Sequence, residues 1–302
     1  MKLEVPKNFE EKFVENFGRK EYLKFLEFLS EPPRKSIRIN TLKTDVSSIL
    51  GRMTEKGFEL ERIPWYDKGF WIEGEDITKT LEYFLGYYYV QEAASMIPPI
   101  VLDPKPGEIV LDLTAAPGSK TTQIAMMMEN RGIIVANDIS MKRLKALRTN
   151  LQKSGVMNCV VTRMNAVYFY RTGLLFDKVL LDAPCSGSGM ISTTFSVFEN
   201  WSPNLVKKMS SIQKKMIESA ILCTKPGGVI VYSTCSLDPE ENEEVITHAL
   251  ERFNVEVEKV RMNGLKVVKG LKGYDPSVRK AVRILPHHNK TEGFFICKLT
   301  RS

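Results

Sequence analysis

Two short stretches of the 302-residue sequence end an apolar run in a polar turn that holds a cysteine: LLDAPCSGSG at 180–189 and VYSTCSLDPEENEE at 231–244. A thiol at the mouth of a strand can act as a nucleophile when a neighbouring group lowers its pKa or takes its proton. Asp182 shares the first turn with Cys185, so a carboxylate and a thiol approach one small pocket. Such a pair suits attack by a thiolate on an electron-poor ring carbon while a carboxyl hydrogen-bonds the adjacent ring nitrogen. Open parallel sheets bind ligands beyond the carboxyl ends of their strands, and neighbouring strands lie about 5 Å apart, so if the two runs pair, both thiols face one crevice. Which of Cys185 and Cys235 attacks is left open by these residues alone. Cys159, Cys223 and Cys297 read as core thiols, because free cysteine behaves as a small buried hydrophobe.

A second cluster points to a ligand. In DLTAAPGSKTT, from Asp112 to Thr122, Ala115, Ala116 and Gly118 let backbone N–H groups and a helix start approach a bound group. The turn matches neither GxGxxG nor GxxxxGK[ST], which argues against phosphate binding by those two mechanisms. A tight turn with no ligand is the plain alternative. Asp138 ends the next strand, where a carboxylate can accept both hydroxyls of a ribose or simply cap the helix that starts near Ser140. Arg143 can brace that carboxylate or the ligand, and Asn165 offers a donor and an acceptor to an adenine edge. An adenosine-containing ligand without a pyrophosphate fits all four positions. Lys120 supplies positive charge that can depress a thiol pKa or orient Asp182.

The elements that must position these groups follow a regular order. EIVLDLT, GIIVAND, CVVTRM, DKVLLDAP and GGVIVYSTC read as strands, with helices at SKTTQIAMMMEN, SMKRLKALRTNLQKSG, NLVKKMSSIQKKMIESAILCTK and DPEENEEVITHALERF. This alternation specifies a doubly wound, mainly parallel sheet, to which AVRILP and GFFICKLT can add antiparallel edges. Upstream, Phe9, Phe13, Phe17, Tyr22, Phe25, Leu26 and Leu29 recur at helical intervals and Pro32 and Pro33 stop the pattern. SIRINTL, DVSSILGRMTEKG, FELERIPW and KGFWIEG then describe a small α+β module. Its aromatics Trp65, Tyr66, Phe70 and Trp71 serve packing or, alternatively, base stacking. The boundary falls at 90, giving a module at 1–90 and a second domain at 91–302.

Five widely spaced cysteines fit neither a disulfide framework nor a zinc knuckle, so no metal is expected. No run resembles a secretion signal and no apolar stretch reaches a membrane span, which makes a cytoplasmic, non-membrane protein the expectation. The net charge of +7 is compatible with a polyanionic partner. KTDVSSILGRMTEK at 43–56, with Lys207, Lys208, Lys214 and Lys215, can line a phosphate track, or can be plain solvated surface.

Taken together, SIRINTLKTD, GYYYVQEAAS, VLDLTAAPGSKTTQIA, VANDIS, LLDAPCSGSGM, IQKKMIESAILCTKPGGVIVYSTCSLDPEENEEVI and RILPHHNKTEGFF resemble the Nop2/Sun (NSUN) family of RNA 5-methylcytosine methyltransferases, and are most similar to its archaeal Trm4-like tRNA group. The resemblance implies a Rossmann-like methyltransferase fold behind an RRM-like amino-terminal domain. It implies S-adenosylmethionine as methyl donor, held by Thr114, Ala115, Ala116, Pro117, Gly118, Ser119 and Lys120, and by Asp138, Arg143, Asn165 and Asp182. It also implies that Cys235 adds to cytosine C6, that Cys185 assists product release, and that Asp182 and Lys120 complete the catalytic set. Thr114 stands where the family often has Cys, and Asn165 where it usually has Asp. The small domain lacks the aromatic signature of base-stacking RRMs and is expected to hold RNA by shape and charge. The implied partner is RNA, tRNA first and rRNA as the alternative, with the enzyme monomeric. A methyltransferase of other specificity and a noncatalytic RNA-binding assembly factor are the rivals.

Overall fold

The computed structural model describes residues 5–31, 33–191, 193–194 and 196–302. The small domain carries a four-stranded antiparallel sheet in the order β2-β3-β1-β4, from β1 (Ser36–Ile39), β2 (Glu59–Arg62), β3 (Gly69–Glu73) and β4 (Tyr88–Val90). One helix, Val46–Glu55, covers it, started by Asp45, whose carboxylate accepts the Ser48 N–H at 2.8 Å. Ile37, Ile39, Ile49, Met53 and Phe70 fill the space between helix and sheet. β4 is not among the strands read from sequence; three residues are too few to show a period-2 pattern.

The second sheet runs β11-β12-β13-β9-β8-β5-β6-β7, with β10 paired to β13. Its strands are β5 (Ile109–Asp112), β6 (Ile133–Asn137), β7 (Cys159–Thr162), β8 (Phe176–Asp182), β9 (Thr224–Thr234), β10 (Val255–Glu258), β11 (Val268–Lys269), β12 (Val282–Ile284) and β13 (Phe294–Arg301). β5 to β9 are parallel, and β12 and β13 add antiparallel edges as expected. The chain moves outward from β5 through β6 and β7, then returns to lay β8 on the other side of β5. The order therefore reverses between β5 and β8, the place where such sheets open a crevice for a ligand. Fully buried Leu111, Val179, Leu181, Ile230 and Ile217 form the layer between this sheet and the helix Pro203–Leu222. Each aliphatic side chain buried there contributes about 1.5–3 kcal/mol. No helix among the described residues is long and apolar enough to cross a membrane.

The first segment departs from the single helical run expected from its spacing. Gly18, at φ +88°, separates helices Lys7–Phe17 and Arg19–Phe28, which fold against each other. Phe13 and Phe25 stack at 4.9 Å across that corner, and Phe9 meets Trp201 edge-on at 5.3 Å. Pro33 follows this unit; Pro32 lies outside the described residues.

The two domains share a polar seam. Arg38, fully buried on β1, donates to Gln91 Oε1, to the Ser119 carbonyl at 2.7 Å and to Thr122 Oγ1 at 2.8 Å. Asn40 Nδ2 reaches the Ser154 carbonyl at 2.9 Å. The small domain thus grips the first turn of the helix that follows β5.

Candidate active site

Cys185 and Cys235 meet because β8 and β9 are parallel neighbours in a fixed register. Asp182 pairs with Ser233, so the two chains leave the sheet side by side, and three and two residues later the Sγ atoms lie 2.9 Å apart. Hydrogen bonds within the two serine-rich loops hold these half-buried thiols in place. Ser186 N–H donates to Glu241 Oε2 at 2.9 Å, Ser236 Oγ donates to Glu241 Oε1 at 2.8 Å, and Ser188 Oγ donates to Asp238 Oδ2 at 2.6 Å. Lys12, from the first helix, reaches Asp238 Oδ1 at 2.6 Å and Glu240 at 2.8 Å. The Gly189 N–H donates to the Cys235 carbonyl at 2.8 Å, and a Cβ at Gly189 would collide with the Gly293 carbonyl. The hydrogen bond with Cys235, together with burial, pushes the Cys185 thiol well above the ordinary cysteine range.

Beside the thiols, Lys120 Nζ donates to Asp182 Oδ2 at 2.6 Å and to Ser95 Oγ at 2.9 Å. Ser233 Oγ donates to Asp182 Oδ1 at 2.7 Å, so both carboxylate oxygens are engaged. Burial alone would depress the Lys120 ammonium; the Asp182 charge beside it outweighs that and raises its pKa. Phe294, the first residue of β13, lies under the ammonium at 5.5 Å from the ring centre. Asp112, at the end of β5, is pushed up to about 7 by burial, against a 2.6 Å hydrogen bond from Thr121 Oγ1.

A cleft of about 670 Å³ runs from the thiols to the end of β6. Thr114, Ala116, Asp138, Ile139, Arg143, Asn165, Val167, Tyr168, Asp182, Cys185 and Cys235 are among its walls. Asp138 is 3% exposed; its Oδ1 accepts the Ser140 N–H at 2.8 Å and its Oδ2 faces Arg143 Nη1 at 3.2 Å. Arg143 also donates to the Ala116 carbonyl, tying the strand end to the turn. The helix cap proper is Ser140, so Asp138 is not spent on capping. Asn165 Oδ1 accepts the Val167 N–H at 3.0 Å, which commits its acceptor to a local turn and leaves the amide donor.

The turn 114–120 is divided. Thr114 and Ala116 line the cleft, and Thr114 Oγ1 donates to the Asp182 carbonyl at 2.8 Å. Gly118, at φ +108°, sits against Leu147, where a Cβ would come within 2.8 Å of its Cδ1. The carbonyls of Pro117 and Ser119 turn outward, to Asn150 and Arg38. Ala115 is buried against the helix Met141–Ser154.

For two groups the sequence left packing or solvation and RNA contact both open. Trp65, Tyr66, Phe70 and Trp71 are all buried and serve packing: Phe70 lies in the core between the small sheet and its helix, and the other three join the apolar cluster that holds Met96, Ile97 and Val260. In the basic stretch, Lys43 is committed to the carbonyls of Leu85 and Lys153, and Lys56 to Glu82. Lys214 pairs with Glu244 at 2.6 Å, whereas Lys207, Lys208 and Lys215 are exposed and Lys215 rims the cleft. Ser95, Ser233 and the serine–carboxylate cluster were not picked out from sequence. Ser233 had a local signal, two residues ahead of Cys235; Ser95 had none.

Comparison with known proteins agrees with this arrangement. The family model described as 16S rRNA methyltransferase RsmB/F matches residues 99–300, and that of the N-terminal domain of 16S rRNA methyltransferase RsmF matches 5–93. A tRNA (cytosine(49)-C(5))-methyltransferase of Pyrococcus abyssi is 45% identical over 98% of this chain and 97% of its own length. Ribosomal RNA small subunit methyltransferase F of Shewanella loihica is 38% identical over 92% of this chain, which spans 58% of that longer protein. Among solved structures, a methyltransferase homolog from Pyrococcus horikoshii superposes with a TM-score of 0.90 at 37% identity, covering 99% of this chain and 96% of that one. NSun6 from the same organism superposes at 0.89 with 25% identity over 98% of both chains. The chain belongs to the NOL1/NOP2/Sun family and is an S-adenosylmethionine-dependent RNA cytosine-5 methyltransferase.

Proposed function

We propose that Cys235 is the nucleophile of this enzyme and that the cleft between the thiols and Asp138 holds the methyl donor. The carrying observation is the Asp182–Ser233 register, which sets both thiols and the Lys120–Asp182 pair around one opening. The donor set suits S-adenosylmethionine: a buried carboxylate at one end for ribose hydroxyls, apolar walls at Ala116, Ile139 and Val167, and the reacting thiols at the other end. When bound there, that group supplies an electrophilic methyl.

Cytosine C5 is a weak nucleophile until C6 is attacked. Cys185 keeps its proton, held by burial and by its hydrogen bond with Cys235, which leaves Cys235 as the thiol that attacks. As the Cys235 sulfur adds to C6 and gives up its proton, the displaced electron pair reaches N3, which takes up a proton and donates its N–H to Asp182, kept in place by Lys120 and Ser233. Carbon 5 thereby becomes nucleophilic enough to accept a methyl group. Loss of the C5 proton and departure of the Cys235 sulfur restore the aromatic base, and Cys185 assists that departure. The opening is recessed, so the target base is unpaired or turned out of its stack.

For the RNA class, the ribosomal reading has the broader support, since both family models and the Shewanella and Vibrio relatives carry ribosomal RNA in their names. The tRNA reading rests on one relative, matched nearly end to end. Nucleoside mass spectrometry of separated tRNA and rRNA, from cells with and without this gene, decides between them: 5-methylcytosine missing from one fraction identifies the substrate. Loss from neither would overturn both readings.

A further inference from the structure

Away from the cleft, the turn Pro286–Asn289 meets the helix Arg19–Phe28 through three side chains that the methyl-transfer chemistry does not use. Glu21 Oε2 faces His287 Nε2 at 2.8 Å and His288 Nε2 at 2.6 Å. The two consecutive imidazoles converge on one oxygen, with ring centres 4.5 Å apart and planes at 73°. Their side chains are 4% and 8% exposed, against 24% for Glu21. Phe25 packs against the His287 ring at 6.4 Å, closing one side. Both Nδ1 atoms are buried without a hydrogen-bond partner, so neither ring is oriented by a protein group behind it. Among the described residues, only the shared oxygen and packing hold both rings in place.

We propose that Glu21, His287 and His288 form a site for a divalent transition-metal ion, with zinc as the best-suited ion, that clamps the amino-terminal helical pair to the turn leading into β13. Two imidazoles and one carboxylate are a zinc donor set, and a water completes four-coordination. Zinc bonds of roughly 2.0–2.2 Å require donor atoms a little over 3 Å apart, so each imidazole nitrogen needs to draw back from the shared oxygen by about half an ångström, and all three donor atoms already lie within 4.8 Å of one another. On binding, each Nε2 offers its lone pair and the ring proton moves to Nδ1. Lys24, 2.8 Å from Glu21 Oε1 and half exposed, turns to solvent as the ion takes over the carboxylate charge. With both Nδ1–H groups lacking acceptors, affinity is lower than at a closed four-ligand site. The ion joins residues 266 and 267 positions apart in the chain and braces the segment that carries Glu292 and Phe294 toward Lys120.

The paired thiols of the cleft could also bind zinc, so the test uses protein carrying Cys185→Ser and Cys235→Ser. After chelator stripping, it is titrated with zinc chloride by calorimetry, and with cobalt(II) while visible absorption is recorded. The expected result is one ion per chain, an intense four-coordinate cobalt spectrum, and a melting midpoint several degrees higher with saturating zinc. Glu21→Gln and His288→Gln, which keep hydrogen-bonding capacity, should each weaken zinc binding at least tenfold and lose the thermal shift. Absence of zinc binding in the parent protein overturns the site, whatever the variants do; equal binding in the parent and in folded Glu21→Gln overturns it as well.

Discussion

Cys185 Sγ and Cys235 Sγ stand 2.9 Å apart, closer than neighbouring strands, because the two loops lean together after the paired residues Asp182 and Ser233. Burial and the hydrogen bond between the thiols raise the pKa of Cys185, so Cys185 is the one that keeps its proton. Replacing Cys235 with Ala is therefore expected to abolish methylation while leaving cofactor affinity intact. Cys185→Ala should attack but resolve slowly, so a covalent RNA complex of low mobility accumulates on denaturing gels. The double substitution should form none. A trapped complex from Cys235→Ala would reverse the two roles.

Asp138 combines near-complete burial with an arginine partner, and in the proposed cofactor site its removal would delete a charge-assisted hydrogen-bond pair to a ribose. Such bonds are worth about 1.5–3 kcal/mol, so Asp138→Ala should weaken S-adenosylmethionine binding roughly 10- to 100-fold. Calorimetry with the cofactor and its demethylated product measures this; an unchanged dissociation constant would remove the ribose assignment.

Ser95 touches no reactant in this reading, yet it fixes one of the two acceptors of Lys120. Loss of one hydrogen bond costs about 0.5–1.5 kcal/mol, so Ser95→Ala should lower kcat about 2- to 12-fold. KM for the methyl donor should hold, and Ser95→Thr should restore the rate. A rise in KM with kcat preserved would count against a positioning role.

Burial keeps Asp112 protonated up to about pH 7 in the folded protein, whereas in the unfolded chain it ionises near 4. Between those values the folded state holds a proton that the unfolded state has lost, so this group's contribution to stability falls as pH rises and levels off above 7. The slope is about 1.4 kcal/mol per pH unit at most. Asp112→Asn keeps the shape and removes the titration, so urea unfolding at pH 4.5, 5.5 and 6.5 should show a flatter profile for the variant. Parallel profiles would mean that Asp112 is ionised in the fold.

The legible part of the molecule was the part whose physics is local or periodic. Strands buried on both faces read as apolar runs, and several candidate site residues followed such a run directly, as Asp138 follows GIIVAN and Cys235 follows VIVYST. The adjacency of β8 and β9 then turned two distant sequence positions into one pocket. What could not be read were partnerships across the chain. Lys12 looks like a solvated helix lysine until Asp238 is placed opposite it, and Lys43 looks free until the carbonyls of Leu85 and Lys153 surround its ammonium. Gly18 broke a continuous apolar pattern because its positive φ, not the spacing of the phenylalanines, decides the chain's direction. β10 and β11 are four and two residues long, too short to announce themselves.

The place of β13 in the sheet sets a schedule for synthesis. Every residue from Thr114 to Cys235 leaves the ribosome before Phe294, but β9, which ends beside the nucleophile, is paired along six residues with β13 and is a bare edge until that strand arrives. Phe294 and the Gly293 N–H, bonded to the Gly189 carbonyl at 2.8 Å, arrive with it. A nascent chain thus carries the candidate site residues before the strand that orders their loops, and is expected to be silent toward the RNA around it during translation. A ribosome-arrested chain stopped at residue 290 should accordingly transfer no methyl groups, and activity there would mean that β9 orders without its antiparallel neighbour.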